Sequence, residues 1–291
     1  MKINFYKKIN PWVALLIIAL TVGGFCLGFF GGPRWINNNE QGIFSGNSDA
    51  DNSKNCNVKV IPLTGALATY YDPANSGYVY SDEIVSQIED ANKNEGIKAI
   101  VLEIDSYGGS PVAGEEVLNA LKNSDKEIVA LIRQAGLSAA YMAAIGANTI
   151  FASKFSDVGS IGVTGSYIDN ANKNKTEGIT FNQLSSGKYK DTMDPDKPLT
   201  EEEKALIMRD IELAHENFVN LVAKYRKLGI EKVGQMADGS SMLGEMALKN
   251  GLIDKIGGMN EVKEYLKDKL DIEPIICEKE IGYWVYTRKA P

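Results

Sequence analysis

The sequence predicts an α/β domain with a largely parallel β-sheet, preceded by one N-terminal transmembrane helix. Short apolar runs of strand length alternate with segments of helical periodicity from about residue 57 onward, an order typical of parallel sheets covered by helices. Residues 9–33 contain no charged side chain, and roughly 20 apolar residues are enough to cross a bilayer as a helix. A membrane segment and one globular domain are therefore expected.

The charges around the apolar run predict its orientation. Lys2, Lys7 and Lys8 precede it and only Arg34 follows it, so the positive-inside bias leaves the N-terminus in the cytoplasm and the main body outside. A cleaved signal peptide is the alternative. We predict the following segments: a cytoplasmic N-terminus at 1–10, a transmembrane anchor at 11–33, a flexible tether at 34–56, the main domain at 57–271 and a tail at 272–291.

The elements of the main domain follow from its periodicity. Runs of apolar and β-branched residues predict strands at 58–63, 99–104, 128–132 and 149–152. Helical spacing predicts helices at 81–94, 111–123 and 200–228, and a short helix that begins at Ser138. Ligands of parallel sheets bind beyond the carboxyl ends of the strands, which makes loops 105–110 and 134–138 candidate site loops.

Charge and cysteine content limit the partners and leave one question open. The formal net charge is -7 although residues 1–34 carry only positive charge, so the acidic main body argues against a nucleic-acid partner. Cys56 and Cys277 lie near the two ends of the main body. They could pair in an oxidising exterior, and two unpaired thiols are an equal alternative. The tail is either a final strand or a mobile segment.

Two loops contain the elements of a nucleophile site. Gly108 and Gly109 follow a predicted buried strand, and glycines there can point backbone amides outward; a plain strand-to-helix turn is the alternative. Ser138 opens a helix of small residues, where it could be either an N-cap or an exposed nucleophile. The amide of Ala139, at the positive end of the helix, could stabilise an oxyanion.

The base for this serine cannot be chosen from periodicity. A lysine acts as a base only when its amine is largely neutral, and the polar neighbourhood of Lys188 and Lys190 favours solvated loop charges. In a strand-like segment the two lysines would share one face. His215 is the chain's single histidine and falls on an apolar helical stripe, so we expect a core-facing, hydrogen-bonded side chain rather than a catalytic one.

Four segments in order resemble the signal peptide peptidase A family, whose members are membrane-anchored Ser/Lys proteases. They are Gly108-Gly-Ser110, Ser138-Ala-Ala-Tyr-Met-Ala143, Gly159-Ser-Ile-Gly-Val163 and Ser186-Gly-Lys-Tyr-Lys190. The resemblance covers roughly residues 57–270. Two details depart from the family pattern: Tyr107 stands where proline is common, and two alanines follow Ser138 where two glycines are common.

The resemblance implies a fold and a role for each site residue. The fold would be the superhelical Clp protease/crotonase-like one. Ser138 would be the nucleophile and Lys190 its base, Ser160 would orient the lysine, and the amides of Gly109 and Ala139 would form the oxyanion hole. The implied activity is hydrolysis of extended apolar peptides, namely remnant signal peptides, by a homo-oligomeric ring outside the cytoplasmic membrane. No metal or cofactor is expected.

Three alternatives remain for the function. The first is the related membrane Ser/Lys protease that partners stomatin-like proteins, and the second is a non-catalytic membrane scaffold on the same fold. The third is an acyl-CoA enzyme, which also uses paired backbone amides but has no reason for an exterior location.

Overall fold

A computed structural model describes residues 56–71 and 77–277. The predicted cytoplasmic segment, the transmembrane anchor and all of the tether except Cys56 lie outside the described residues, as does the tail beyond Cys277. Within the described ranges, no helix is long and apolar enough to span a membrane.

The described chain alternates strands and helices, as predicted. The strands are β1 Val58–Thr64, β2 Ala66–Ala68, β3 Tyr78–Tyr80, β4 Ala99–Ser106, β5 Glu127–Leu137, β6 Thr149–Ala152, β7 Asp157–Gly159, β8 Ser241–Leu243 and β9 Lys255–Ile256. The helices, numbered here from the first described one, are α1 Ser81–Lys93, α2 Pro111–Lys122, α3 Ala139–Ala144, α4 Ala171–Thr176, α5 Glu201–Arg226, α6 Ile230–Gly234, α7 Gly244–Asn250 and α8 Met259–Leu270.

The main sheet is mostly parallel and has the order β1-β4-β5-β6-β9. Strand β7 pairs parallel with the end of β5, and β8 pairs antiparallel with β7. A separate two-stranded parallel sheet joins β2 and β3. The predicted fold class is therefore confirmed at the level of an α/β fold with a mainly parallel sheet.

Both faces of the central strands are covered, because their side chains are apolar on both sides. Ile100, Leu102 and Ile104 of β4 enter the large core cluster, to which α1, α2 and α3 contribute. Ala99 and Val101 point to the opposite face, where they join a second cluster with residues of α8. Continuous apolar runs of this kind are the expected pattern for doubly covered parallel strands.

The segment around Lys188 and Lys190 bears on the site. It consists of turns from residue 188 to residue 193. The Lys190 amide donates to the Gly187 carbonyl over 3.1 Å, and both lysines are exposed. The exposed turns agree with the alternative of solvated loop charges, and the shared face that a strand would give the two lysines is not formed.

The two ends of the domain are joined. Cys56 and Cys277 form a disulfide, which decides the question that the sequence left open. Beside it the Ile275 carbonyl accepts hydrogen bonds from the amides of Asn57 and Val58, and Ile276 forms an isolated parallel bridge with Val58. The described part of the tail therefore lies along the beginning of β1.

Helix α3 is held tightly against its neighbours. A Cβ placed on Gly114 of α2 would lie 2.7 Å from the Ala139 carbonyl oxygen, so only glycine allows this approach of the two helices. On the other side, the buried Tyr141 hydroxyl donates to the Leu252 carbonyl over 2.7 Å, and burial raises the pKa of this phenol. These contacts determine where Ser138, which precedes α3, is placed.

Candidate active site

Ser138 lies at the junction between the end of β5 and the start of α3 and has an unusual backbone conformation. Its φ is 51° and its ψ is -125°, a combination that is rare for a residue with a side chain and costs on the order of 1–3 kcal/mol. Its amide donates to the Gly159 carbonyl over 2.8 Å. The surrounding structure therefore imposes a strained conformation, and strained residues cluster at functional sites.

The hydroxyl of Ser138 does not cap its helix. Ser138 occupies the N-cap position, yet its side chain makes no capping hydrogen bond, and within the described ranges Oγ has no hydrogen-bond partner. The side chain is half-buried. The alternative of an ordinary N-cap is therefore contradicted, and the hydroxyl is available for chemistry.

The glycine loop that follows β4 lies directly against Ser138. Gly108 has a φ of 104° and Gly109 a φ of 154°, both in the range that favours glycine. A Cβ on Gly108 would lie 2.8 Å from Ser138 Cβ, and one on Gly109 would lie 2.1 Å from the Leu67 carbonyl oxygen. Both glycines are therefore required by close contact as well as by conformation.

The backbone amides of Gly109 and Ala139 lie beside Ser138. Each of them shares a peptide plane with a carbonyl that accepts a hydrogen bond from another residue. All described peptide bonds are trans, so the C=O and N–H of one peptide plane point in opposite directions. The Gly108 carbonyl accepts from the Leu67 amide over 2.9 Å, and the Ser138 carbonyl accepts from the Met142 amide over 2.9 Å. The amides of Gly109 and Ala139 donate to no described residue. The Gly109 N–H therefore points away from β2, and the Ala139 N–H points away from the body of α3.

Ser160 adjoins this arrangement through the backbone. Its neighbour Gly159 accepts the Ser138 amide, and Ser160 itself has a φ of 49°. Its hydroxyl donates to the Gly239 carbonyl over 2.9 Å and makes no described contact with Lys190. The role of Ser160 in orienting the lysine stays a prediction.

The two lysines differ in their surroundings. Lys188 forms an ion pair with Glu202, and this hydrogen bond raises the pKa of the Lys188 amine, with a smaller contribution from Tyr189. The amine of Lys190 makes no hydrogen bond or ion pair with any residue in the described part of the chain. Glu202 therefore favours the charged form of Lys188 further, which does not suit a base, whereas Lys190 has no such ion pair and makes no hydrogen bond with Ser138 within the described ranges.

His215 lies on α5 and is half-buried rather than core-facing. Phe218 and Val222 of the same helical stripe are fully buried, as predicted. Among the described residues, no hydrogen-bond partner of the imidazole is present, so the expected hydrogen bond was wrong. His215 makes no hydrogen bond with Ser138 among these residues either.

A buried carboxylate organises the segment that follows Lys190. Glu203, the third residue of α5, is 3% exposed and accepts from Lys197 Nζ over 2.6 Å and from Thr192 Oγ1 over 3.3 Å. It also forms a capping box with Thr200. The Lys197 hydrogen bond, followed by the bond from the Thr200 amide, lowers the pKa of Glu203 to about 2.

A cavity lies behind the site between α2, α3 and α5. Its volume is about 440 Å³, and Met142, one helical turn after Ser138, and Phe218 are its buried apolar residues. Its other lining residues are Pro111, Val112, Glu115, Ala214, Asn217, Asn220, Leu221 and Lys224. In the described ranges, no group of His, Cys, Asp and Glu side chains could hold a metal ion.

Two residues that support the glycine loop were not found from the sequence. Leu67 pairs with the loop through its amide and carbonyl, and the buried Ser106 contacts the Gly108 amide. Ser106 lies two residues before Gly108, so its position could have been a signal, but its partner Gly65 is 41 residues away. Only the fold brings them together.

A strained serine with a free hydroxyl, flanked by two outward amides on an α/β fold, is the arrangement of a serine hydrolase site. The sequence model of peptidase family S49 matches residues 120–273, which is more than half of the chain. The chain belongs to peptidase family S49. The matched residues include Ser138, Ser160 and Lys190, whereas the Gly108-Gly109 loop precedes them.

Curated relatives agree with this membership. A relative from Enterococcus faecium, named as a candidate signal peptide peptidase SppA, is 31% identical and covers 63% of this chain and 54% of its own. Protease 4 of Salmonella typhi is 32% identical over 70% of this chain and 33% of its own. Serine protease SPPA of the Arabidopsis thaliana chloroplast is 26% identical over 74% and 32%. The resemblance to the signal peptide peptidase A family and its class, serine protease, is confirmed.

The chain spans only about half to two thirds of the length of the first relatives that it matches. It spans 63%, 54% and 64% of relatives from Methanocaldococcus jannaschii, Enterococcus faecium and Synechocystis. Among solved structures, a mutant ClpP1 from Listeria monocytogenes matches with a TM-score of 0.47 and 13% identity, over 69% of this chain and 92% of the other. At this level of similarity the superhelical Clp protease/crotonase-like fold stays a prediction.

Proposed function

We propose that the chain is a membrane-anchored serine endopeptidase with a Ser138/Lys190 dyad. The observation that carries the proposal is the strained, uncapped Ser138, with the unpaired amides of Gly109 and Ala139 beside it in the described part of the chain. Membership of peptidase family S49 supports the same activity.

The proposed reaction is acyl transfer. The neutral amine of Lys190 takes the proton of Ser138 as Oγ attacks the peptide carbonyl carbon, and the amides of Gly109 and Ala139 hold the resulting oxyanion. Protonated Lys190 then gives its proton to the leaving amine, and water hydrolyses the acyl-enzyme with the lysine again acting as base. Ser160 is the residue that would orient the amine.

The exposed position of Lys190 bears on the assembly. An exposed amine is protonated at neutral pH, and only burial or nearby positive charge makes it neutral. We therefore propose that a second copy of the chain covers Lys190 in a homo-oligomeric ring, and the lysine that serves a given Ser138 can come from either copy.

The proposed substrate is an extended, mainly apolar peptide, such as a remnant signal peptide. The peptide would bind as an added strand along the exposed Gly109, with hydrogen bonds to its backbone. The cavity with Met142 and Phe218 would accept one of its apolar side chains. The Cys56–Cys277 disulfide supports a location outside the cytoplasm, because such bonds persist in oxidising compartments. Anchoring by residues 11–33 would hold the domain near peptides released in the membrane.

A fluorophosphonate probe tests the nucleophile, because it labels activated serines. Wild-type protein is expected to be labelled, and Ser138→Ala is expected to abolish the labelling. Ser124→Ala removes a hydroxyl that bonds Asn92 far from the site, and His215→Gln removes the single imidazole; both variants should be labelled like the wild type. Labelling that persists in folded Ser138→Ala, or is lost in folded His215→Gln, contradicts the proposal.

A further inference from the structure

Ser106 is a buried serine at the end of β4, immediately before Tyr107-Gly108-Gly109. It is 1% exposed and pairs with Gly136 of β5 in the sheet. Its hydroxyl donates to the Gly65 carbonyl over 2.6 Å and accepts from the Gly108 amide over 3.1 Å. The hydroxyl therefore acts both as a donor and as an acceptor, and it links two backbone turns.

These contacts restrict the conformation of Gly108, whose peptide bond to Gly109 sets the direction of the Gly109 amide. The amide of Gly108 is held by Ser106, and the carbonyl of Gly108 is held by the Leu67 amide. The two bonds hold the peptide planes on either side of the Gly108 Cα. Because the Gly108 carbonyl and the Gly109 amide share one plane, the same two bonds aim the Gly109 N–H.

The restraint matters because Gly108 would otherwise be free to rotate. Glycine has more accessible backbone conformations than any other residue, and no side chain limits the φ of 104° observed here. Of the two restraints, the one from Leu67 is made by backbone and the one from Ser106 is made by a side chain. Ser106 also ties the loop to Gly65, the residue that begins the turn from β1 into β2.

We propose that Ser106 is a positioning residue for the oxyanion hole, which holds the Gly108-Gly109 peptide so that the Gly109 amide faces the oxyanion formed on Ser138. The inference rests on the proposed function. Ser106 does not touch the substrate; it acts through the orientation of a backbone amide. A donor that is not preorganised loses much of its effect in the transition state, whereas ground-state peptide binding depends on it little.

The test compares Ser106→Ala with Ser81→Ala in the full chain. Ser81 is also fully buried, and its hydroxyl also bridges two groups, Glu116 Oε2 at 2.5 Å and the Thr69 carbonyl at 3.3 Å, but it does not contact Gly108. Removal of a complete oxyanion donor costs about 10²–10³-fold in kcat. We expect a roughly 10-fold or larger loss of kcat in Ser106→Ala with KM nearly unchanged, and no such loss in Ser81→Ala.

A peptide boronate, which forms a tetrahedral adduct with serine, gives a second measurement. The affinity of the boronate for Ser106→Ala is expected to fall in parallel with kcat/KM. The affinity of a non-cleavable peptide, in which the scissile peptide bond is reduced, should stay within about twofold of its affinity for the wild type. Ser106→Cys keeps the volume and a weak hydrogen-bonding group, and should recover part of both losses. If Ser106→Ala does not fold, Ser106→Cys replaces it in the test, because the affinities of the boronate and the reduced peptide can be measured for that variant.

Equal falls of boronate and reduced-peptide affinity, or a kcat loss that Ser81→Ala reproduces at equal thermal stability, would overturn the positioning role. Unchanged kcat in folded Ser106→Ala would do the same. If wild-type protein is not labelled by the fluorophosphonate, the proposed function fails, and the inference fails with it. Labelled wild type with unaffected Ser106 variants refutes the inference alone.

Discussion

Ser138 combines two features that an ordinary helix-capping serine does not share. Its φ of 51° is unfavourable for a side-chain residue, and its hydroxyl leaves the first-turn amides of α3 uncapped. A capping serine stabilises its helix by about 1 kcal/mol, so Ser138 forgoes this stabilisation and adds strain. Such a combination is expected where exposure of the hydroxyl is selected over stability.

Mutation can distinguish the roles of the two lysine residues, Lys188 and Lys190. We expect Lys190→Ala to lower kcat/KM by about 10²–10⁴-fold, the usual contribution of a general base, and Lys188→Ala to change it only a few-fold. The hydrogen bond with Glu202 raises the pKa of the Lys188 amine, which makes its neutral, proton-accepting form less accessible. Hydrolysis of a panel of apolar peptides measures both losses.

The matched control is Lys190→Arg, which keeps the positive charge but cannot act as a base. It should be as inactive as Lys190→Ala. Activity in the arginine variant would mean that the charge of Lys190 matters rather than its basicity, and a larger loss from Lys188→Ala would transfer the role to Lys188.

At the scale of elements, the start of α5 stabilises the segment that contains the lysines. The single carboxylate of Glu203 collects hydrogen bonds from the capping residue Thr200 and from Thr192 and Lys197 of the preceding turns. A helix N-terminus also favours negative charge through its dipole. The position of α5 on the core is thereby linked to the conformation of the turns that follow Lys190.

The ionisation of Glu203 predicts how stability depends on pH. The folded pKa of about 2 lies below the ordinary value of 4.5, so the carboxylate contributes stability above about pH 4.5 and loses that contribution as the pH falls towards 2. Glu203→Gln should therefore be less stable than wild type at pH 7, and the difference should shrink between pH 4.5 and 2. Urea midpoints at several pH values measure it.

Glu202→Gln is the control at the neighbouring position. Glu202 and its partner Lys188 are both largely exposed, and exposed ion pairs contribute little. Its midpoint should stay near the wild-type value at every pH. A difference between Glu203→Gln and wild type that is independent of pH would show that the loss comes from packing rather than from the charge.

At the scale of the whole molecule, the described domain is closed by a covalent bond between its ends. The Cys56–Cys277 disulfide spans a sequence separation of 221 residues, and it lies beside the hydrogen bonds of Ile275 with Asn57 and Val58. A cross-link over so long a loop removes much of the entropy of the unfolded chain. It also keeps the start of β1 and the end of the domain together.

Reduction of this bond is expected to destabilise the domain by about 2–5 kcal/mol, the usual cost of losing a native disulfide. Urea unfolding with and without a thiol reductant measures the change. The double variant Cys56→Ser/Cys277→Ser should match the reduced wild type and should not respond to the reductant. Identical midpoints for oxidised and reduced wild type would contradict a stabilising role.

Local sequence by itself determined the alternation of strands and helices, the mainly parallel sheet and the candidate groups Ser138, Ala139 and Gly109. These depend on periodicity and on residues adjacent in the chain, which the sequence displays directly. It could not choose between Lys188 and Lys190 by periodicity. It also left the pairing of Cys56 and Cys277 open.

The tertiary structure alone decided which groups are usable. The free hydroxyl of Ser138 follows from a backbone held by Gly159, and the direction of the Gly109 amide follows from Leu67 and Ser106. The raised pKa of the Lys188 amine likewise depends on Glu202. Each of these properties is set by a contact between residues that are not adjacent in sequence, and a local pattern carries no information about the distance between them.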